Sequence, residues 1–362
     1  MKISIIGTRG IPPRYGGFET FAYEISGILV NNGFTVAVQC DSGSFDLPVY
    51  NGVDLFFSPV KKTGNQFRYY YEGIKWGLKN SDLLIIAGTG GSVFYLLNLF
   101  FRKKIITNPD GLEYKRNKWP WYVKMALILI EALAYYFSDY IVADSKAIRD
   151  SLIRKYKLSP GKIKVIEYGA TINDTFNEQV LKKYSLKHKN YYLAVCRLEP
   201  ENNLHIILEA YTKSNANPPL IIVGNKSGSD YALRIIKEYK SDKILFLGGI
   251  YDKEELKALR YSCRAYFHGH SVGGTNPSLL EAMAAGNTVL CHDNVFNREV
   301  TDNSQIYFKS VNDCTEKIKL IENMSENELE KFGNLSRSRI KTYYNWHNIG
   351  NKYIEFLRQI NV

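Results

Sequence analysis

Short apolar segments alternate with helical segments along almost the whole chain, and this alternation constrains the fold more than any other feature. One series of candidate strands lies in the first half and a second series in the second half. They span 2–6, 35–39, 53–57, 83–87, 104–107, 140–143 and 164–166, then 191–195, 220–223, 244–247, 265–268 and 288–291. Strands separated by helical crossovers form parallel sheets covered by helices. The sequence therefore predicts an α/β protein with two Rossmann-like domains.

The predicted boundary between the domains lies in a charged, weakly patterned stretch at 173–190. We assign 1–180 to an N-terminal domain and 181–342 to a C-terminal domain. The last segment, 343–362, carries apolar residues at helical spacing and is expected to pack back across the first domain. Two facing domains would leave a cleft at the carboxyl ends of their strands, where doubly wound sheets bind ligands.

The composition is that of a globular protein, with 45% hydrophobic and 23% charged residues. Its five cysteines show no CxxC spacing, so neither a zinc site nor a disulfide framework is indicated. The first apolar run is too short for a signal peptide. The longest one, 125–137, is interrupted by Glu131 and is shorter than the roughly 20 residues of a spanning helix. We expect a cytoplasmic protein.

A formal net charge of +11 makes the chain strongly basic, and aromatic residues lie among the lysines and arginines in two stretches, 61–76 and 114–124. Basic residues beside interfacial aromatics suit an anionic lipid surface. No nucleic-acid-binding motif accompanies the charge. We expect peripheral attachment to the inner face of the plasma membrane and no nucleic-acid partner. A solvated basic face with inward-facing aromatics is the alternative.

The segment 273–286 is typical of a nucleotide-diphosphate site. Asn276 suits the N-cap of a helix and Pro277 its first position, and the free amides that follow attract anions with the aid of the helix dipole. Glu281 lies on the same face as Pro277, where its carboxylate can accept hydrogen bonds from ribose or deoxyribose hydroxyls. An ordinary capped helix packed in the core is an equally open alternative.

A glycine-rich loop at 7–20 follows the first strand and leads into a helix that starts near Phe18. Its Gly16-Gly17 pair allows close approach of the backbone to a ligand, although tight turns use the same residues. The spacing matches neither the dinucleotide fingerprint nor a P-loop. A dehydrogenase and a kinase are therefore disfavoured.

Three motifs together resemble the retaining GT-B glycosyltransferases of family 4. They are the loop at 16–19, the stretch 196–203 and the Glu281 helix, in that order. The segments 7–12 and 108–116 look like the bacterial rhamnosyltransferase subgroup of surface-polysaccharide synthesis. The resemblance covers essentially the whole chain and implies the GT-B fold, two facing Rossmann-like domains with the donor bound mainly by the second.

The resemblance also implies roles for single residues. Arg197 matches the arginine that pairs with the donor diphosphate, and its guanidinium can fork onto two phosphate oxygens and stabilise the leaving group. Glu281 matches the glutamate that holds the nucleotide ribose. A surface ion pair with Glu199 or Glu201 is the alternative for Arg197. The candidate substrate-binding residues are Gly16, Gly17, Asn202, His270, Gly273, Gly274, Thr275, Asn276, Ser278, Leu279 and Glu281.

The chain departs from the family pattern at three positions. Asn202 stands where the family usually has lysine, and Gly273 stands at the earlier glutamate, a space open to His270 or Thr275. Asp110 aligns with the first-domain histidine that touches the donor sugar, and it is a catalytic candidate together with Arg197. Asp110 would hydrogen-bond a sugar hydroxyl or cap the turn that it forms with a glycine.

The resemblance implies a hexosyl or deoxyhexosyl transferase that retains the configuration of the sugar and uses a dTDP- or UDP-linked sugar, rhamnose or another hexose, as donor. A lipid-linked saccharide in capsule, O-antigen or exopolysaccharide synthesis would be the acceptor. No adjacent carboxylate pair of the DxD kind follows a strand, so we expect no metal and no cofactor. The alternatives are a nucleotide-sugar 2-epimerase, a pyridoxal-phosphate-dependent phosphorylase and a non-catalytic basic membrane-binding relative.

Overall fold

The computed structural model describes residues 1–13, 16–43, 47–109, 111, 119–172, 175–225 and 229–360. The chain divides into two compact units. Unit 1 comprises Met1–Tyr168 and Trp346–Val362, and unit 2 comprises Gly169–Asn345. The first boundary therefore falls directly after the first sheet, earlier than the predicted 180/181.

Unit 1 is built on a sheet that has eight strands within the described residues. They are β1 (Lys2–Ile6), β2 (Thr35–Cys40), β3 (Val49–Tyr50), β4 (Val53–Phe57), β5 (Leu83–Ala87), β6 (Lys104–Asn108), β7 (Tyr140–Ala143) and β8 (Ile163–Val165). Their order is β3-β4-β2-β1-β5-β6-β7-β8, parallel except for β3 against β4. The strand order reverses between β1 and β5. Ligands bind at such switch points in doubly wound sheets.

Six α-helices of unit 1 cover this sheet in the part of the chain that the structure describes. They are α1 (Gly17–Asn31), α2 (Gln66–Asn80), α3 (Asn98–Phe101), α4 (Trp121–Phe137), α5 (Lys146–Tyr156) and α14 (Trp346–Gln359). The C-terminal α14 packs on α1, where Gly350 leaves room for Ile28 and the rings of Phe21 and Tyr353 lie 5.6 Å apart. Lys352 also pairs with the buried carboxylate of Glu167 at 2.6 Å.

Unit 2 carries a second sheet, which is parallel throughout. Its strands are β9 (Tyr192–Val195), β10 (Leu220–Val223), β11 (Ile244–Gly248), β12 (Ala265–His268), β13 (Val289–His292) and β14 (Ile306–Phe308), in the order β11-β10-β9-β12-β13-β14. The switch point lies between β9 and β12. The helices are α6 (Gln179–Lys183), α7 (Leu204–Ser214), α8 (Asp230–Tyr239), α9 (Lys253–Ser262), α10 (Pro277–Ala284), α11 (Val295–Thr301), α12 (Val311–Asn323) and α13 (Glu326–Arg339).

The aromatic residues of the 61–76 stretch mostly face inward, contrary to the expected lipid-binding arrangement. Tyr69 and Tyr70 on α2 are buried, and their hydroxyls donate to the carbonyls of Thr8 at 2.6 Å and Ala87 at 2.7 Å. The ring of Trp76 stacks on Phe56. These aromatics hold the loops after β1 and β5, because each phenol finds a buried backbone acceptor.

Candidate functional site

The loops that follow β9 and β12 lie side by side at the switch point of unit 2. The backbone N–H of Ser271 donates to the carbonyl of Glu201 at 3.0 Å, and its hydroxyl donates to the same oxygen at 2.8 Å. The Asn203 side chain donates to the carbonyl of Gly269 at 2.8 Å. A Cβ at Gly269 would lie 2.1 Å from the Asn202 carbonyl oxygen, so only glycine allows this approach. The two loops therefore form one cross-linked cradle.

Arg197 follows β9 and lies exposed at the rim of this cradle. Its carbonyl accepts hydrogen bonds from the side chain of Asn202 at 2.7 Å and from the backbone N–H of Glu199 at 2.8 Å. Within the described ranges, no salt bridge joins Arg197 to Glu199 or Glu201, the alternative that the sequence left open. The backbone of Arg197 is thus fixed while the residue as a whole is exposed.

Asn202 has a structural task in this loop. Its side chain is buried, and the hydrogen bond from its Nδ2 closes the turn onto Arg197. A lysine, which is usual in the family, lacks an acceptor and would place a charge here instead. The contact of Asn202 with a donor phosphate stays a prediction, but the amide already has an intramolecular partner.

Helix α10 begins at the cradle with the predicted cap. Pro277 occupies its first position, and the Asn276 side chain accepts a hydrogen bond from the Ser278 N–H at 3.0 Å. The Leu279 N–H donates to the Asn276 carbonyl at 3.0 Å. The expectation of free amides after Pro277 is therefore wrong for these two groups, because the cap uses them. An anion at this helix end would have to replace the Asn276 oxygen.

Ser278 and Leu279 hold α10 on the sheet. The Ser278 hydroxyl donates to the Val195 carbonyl at 2.9 Å and contacts the hydroxyl of Tyr266. Leu279 is fully buried, so its side chain belongs to the core, and a contact of this residue with the ligand stays a prediction. The bond to Val195 fixes the first turn of α10 against the end of β9, two residues before Arg197.

Glu281 has a partner that sequence reasoning missed. Its carboxylate lies 2.5 Å from the guanidinium of Arg260 on α9, and the Glu281 side chain is 42% exposed whereas that of Arg260 is 8% exposed. A buried arginine is stable only when its charge is matched. One feature of the sequence indicates such a partner. Arg260 falls between Leu256 and Cys263 on the apolar side of α9, and a cation buried there needs an acidic residue from another element.

The open side of the cradle is formed by its glycines. Gly273 has a φ of +128°, a conformation that L side chains rarely adopt, and no atom lies within 4 Å of a Cβ built there. Gly274 is half-buried beside it and Thr275 is buried. The position where the resemblance implies a glutamate is thus open at Gly273.

Three histidines line the ends of β12 and β13. The rings of His268 and His270 stack at 4.4 Å. Neither ring nitrogen of the buried His268 has a hydrogen-bond partner among the described residues. Burial, followed by the nearby His270 and His292, holds the pKa of His268 well below its usual value, and burial also lowers the pKa of His292. Both rings are therefore neutral at neutral pH.

The glycine-rich loop of unit 1 folds onto its own backbone. The Glu19 carboxylate, in the first turn of α1, accepts a hydrogen bond from the Arg9 N–H at 2.9 Å. A Cβ at Gly16 would lie 3.0 Å from the same carboxylate. Gly17 opens α1. Gly16 and Gly17 stay predicted ligand contacts, and Asp110 lies outside the described residues.

Among the described residues, no group of three His, Cys, Asp or Glu side chains is arranged to hold a metal ion.

Two families match the chain, one for each half. Residues 1–171 match a domain of unknown function, DUF1972. Residues 176–339 match the family described as glycosyl transferases group 1. The region that matches the group 1 glycosyl transferases contains the whole cradle, from Arg197 to Glu281.

One curated relative is a glycosyltransferase by name. It is the N-acetylgalactosamine-N,N'-diacetylbacillosaminyl-diphospho-undecaprenol 4-alpha-N-acetylgalactosaminyltransferase of Campylobacter jejuni, 28% identical over 188 residues, which are 52% of this chain and 49% of the relative. The chain therefore aligns with about half the length of that relative.

Solved structures share the fold over the full chain. A sucrose-phosphate synthase from Thermosynechococcus elongatus superposes with a TM-score of 0.82 at 16% identity, covering 99% of this chain and 98% of that one. Anabaena HepE in complex with UDP-glucose gives 0.76 at 15% identity, covering 99% and 100%. The predicted GT-B fold, with two parallel-sheet domains, is confirmed.

Proposed function

We propose that the protein is a retaining glycosyltransferase that moves a sugar, rhamnose or another hexose, from a nucleotide-diphosphate donor to a lipid-linked saccharide. The observation that carries this proposal is the cradle of unit 2. It combines an exposed Arg197 on a fixed backbone with Glu281 held by Arg260, at the switch point of a doubly wound sheet.

The cradle suits a donor with a charged diphosphate and a sugar-like hydroxyl pair. Arg197 would pair with the diphosphate and stabilise the negative charge that grows as the sugar leaves. Glu281 would accept hydrogen bonds from the ribose hydroxyls of the nucleotide. The departing diphosphate would help to take the acceptor proton on the same face of the sugar. This route requires neither a protein nucleophile nor a bound metal.

The substrates are proposed from relatives and from resemblance. HepE binds UDP-glucose, which supports a UDP-linked donor here, and the dTDP-linked alternative comes from the resemblance alone. The Campylobacter enzyme is named for a diphospho-undecaprenol acceptor, which supports a lipid-linked saccharide in surface-polysaccharide synthesis. Such an acceptor would place the enzyme peripherally on the inner face of the plasma membrane.

The first test is a thermal-shift screen of the full chain against UDP, dTDP and their sugars, since a ligand that binds the folded state raises its apparent stability. The stabilising donor is then incubated with lipid-linked saccharide in excess EDTA, and product is measured by mass spectrometry. We expect transfer with the anomeric configuration retained. Interconversion of nucleotide sugars without acceptor would indicate an epimerase instead, and no stabilisation by any nucleotide would indicate a non-catalytic protein.

A further inference from the structure

Helices α3 and α4 of unit 1 expose a large apolar surface. We define the α3–α4 surface by the side chains of Leu99, Phe100, Trp121, Tyr122, Met125 and Leu129. Phe100 is 85% exposed, Trp121 78% and Leu129 64%. α3 lies beside the C-terminal end of α4, because Asn98 on α3 and Tyr136 on α4 line one depression. Exposed large apolar side chains in this number mark an interaction site.

The sequence of α4 explains why this surface needs a partner. The helix is apolar on both faces: Ala134 and Tyr135 are buried against unit 1, whereas Tyr122, Met125 and Leu129 face outward at helical spacing. A helix that is apolar all round is normally buried in a core or in lipid. None of the described helices has the length and apolar character needed to cross a bilayer. α4 can therefore meet lipid only by lying along its surface.

The charges around the surface are positive. In the segments 96–104 and 121–137 the basic residues are Arg102, Lys103, Lys104 and Lys124, and the one acid is Glu131. Glu131 is buried and accepts a hydrogen bond from the Tyr156 hydroxyl at 2.7 Å, so it presents no charge outward.

A depression of about 440 Å³ beside the surface carries part of this charge. It is lined by Arg102, Lys103 and Lys104, and its acid, Asp139, pairs with Lys104 at 3.1 Å. The remaining positive charge favours an anionic group. Lipid phosphates combine such groups with the apolar chains that the neighbouring side chains would contact.

We propose that the α3–α4 surface docks on an anionic phospholipid bilayer, with α4 parallel to the membrane plane and Trp121 and Tyr122 at the interface. Aromatic side chains of this kind favour the headgroup region. The proposal deepens the proposed function, because a lipid-linked acceptor is presented at such a membrane. Docking depends on the exposed apolar side chains and the positive charge of the α3–α4 surface, and it requires neither a sugar donor nor an acceptor.

The experiment measures sedimentation of the full chain with phosphatidylcholine vesicles, with and without phosphatidylglycerol and free of any substrate. We expect binding to the anionic vesicles. The double variant Met125→Gln/Leu129→Gln should reduce partitioning about tenfold or more, because each change removes an apolar side chain from the bilayer. Its melting temperature should stay close to that of the parent. Leu233→Gln, an equally exposed position on α8 in unit 2, is the matched control.

A second pair of variants tests the charge. Arg102→Ser/Lys103→Ser should weaken binding to anionic vesicles most strongly at low salt, where screening is least. Lys237→Ser/Lys240→Ser removes the same charge from unit 2 and should have little effect.

Three vesicle results would each overturn the proposal: no vesicle binding, equal binding by the Met125/Leu129 variant, or equal binding to neutral vesicles. A concentration-dependent dimer that this variant dissociates would make the surface a subunit interface and would also overturn it. Since no substrate is present, docking without transfer would count against the proposed function alone.

Discussion

At the residue scale, Glu281 has two candidate roles: it binds the donor, or its ion pair with Arg260 is purely structural. A substitution distinguishes the two roles. Glu281→Gln keeps the shape of the side chain and removes its charge. Hydrogen bonds to charged groups contribute roughly 1.5–3 kcal/mol, so we expect donor affinity to fall by about one to two powers of ten. Titration calorimetry with the stabilising nucleotide measures this change. A marked loss of melting temperature with unchanged affinity would show a structural residue.

Arg260 should act on the donor only through Glu281. We expect Arg260→Met to weaken donor binding, because the carboxylate loses the group that fixes it. In the Arg260→Met background, Glu281→Gln should then cost less than in the parent, which is the signature of coupled residues in a double-mutant cycle. Additive losses of affinity would exclude positioning of Glu281 by Arg260.

We assign Arg197 to the chemical step rather than to donor binding. The residue is exposed and its backbone is held by Asn202, so Arg197→Ala should leave the melting temperature nearly unchanged. We expect turnover to fall more than donor affinity, because the charge on the diphosphate grows in the transition state. Steady-state kinetics with the nucleotide sugar give both numbers. An equal loss in kcat and affinity for the donor ground state would contradict this assignment.

The sequence predicted some features of this site and missed others. Asn276 and Pro277 were predicted as cap and first position because capping depends on local chemistry, and the structure has both there. The sequence did not reveal that Asn276 also accepts hydrogen bonds from the N–H groups of Ser278 and Leu279. Arg260 was missed because its partner lies on another helix, which local periodicity does not reveal.

At the element scale, close helix packing holds α10 in place. Gly333 on α13 approaches the Gly286 carbonyl at the end of α10, and a Cβ there would lie 2.3 Å from that oxygen. We expect Gly333→Ala to lower stability by about 1–3 kcal/mol, since backbone must move. Gly27→Ala on α1, where no atom lies within 4 Å, should stabilise by roughly 0.5–1 kcal/mol. Chemical denaturation measures both, and equal effects would refute the packing argument.

The buried histidine of β12 makes a prediction for acid stability. Because the pKa of His268 is lowered in the folded state, the unfolded chain binds a proton first as pH falls. Stability should therefore be unaffected above about pH 6.5 and decrease below it, by up to about 1.4 kcal/mol per pH unit for this residue. His268→Gln should reduce that loss, because the buried imidazole that resists protonation is gone. Denaturation at several pH values tests this, and an unchanged acid loss would count against it.

Element prediction succeeded where apolar runs are long enough. Most predicted strands agree with the observed ones to within a residue at each end, because central parallel strands are continuously apolar. β3 and β14 were missed, since two or three residues carry no readable pattern. The inward orientation of the α2 aromatics was also beyond the sequence, because their phenols bind carbonyls of distant loops.

At the scale of the whole molecule, the C-terminal helix α14 belongs to unit 1. α14 buries seven residues against unit 1, among them Ile349, Tyr353 and Leu357. Full burial of a large apolar side chain contributes roughly 1.5–3 kcal/mol, so loss of the helix removes an amount comparable to the whole stability of a typical domain. The core of unit 2, by contrast, is formed by its own residues, such as Leu193, Ile222 and Phe267.

A chain ending at Asn345 should therefore lose the folded state of unit 1 while unit 2 still binds nucleotide. We expect a lower first transition in calorimetry, protease cleavage confined to unit 1, and a second transition that UDP or dTDP still raises. Glu355→Ala, at an exposed position of α14, is the control and should change neither transition. If the truncated chain instead lost nucleotide binding together with unit 1, donor binding would depend on both units, and its assignment to the cradle of unit 2 alone would be wrong.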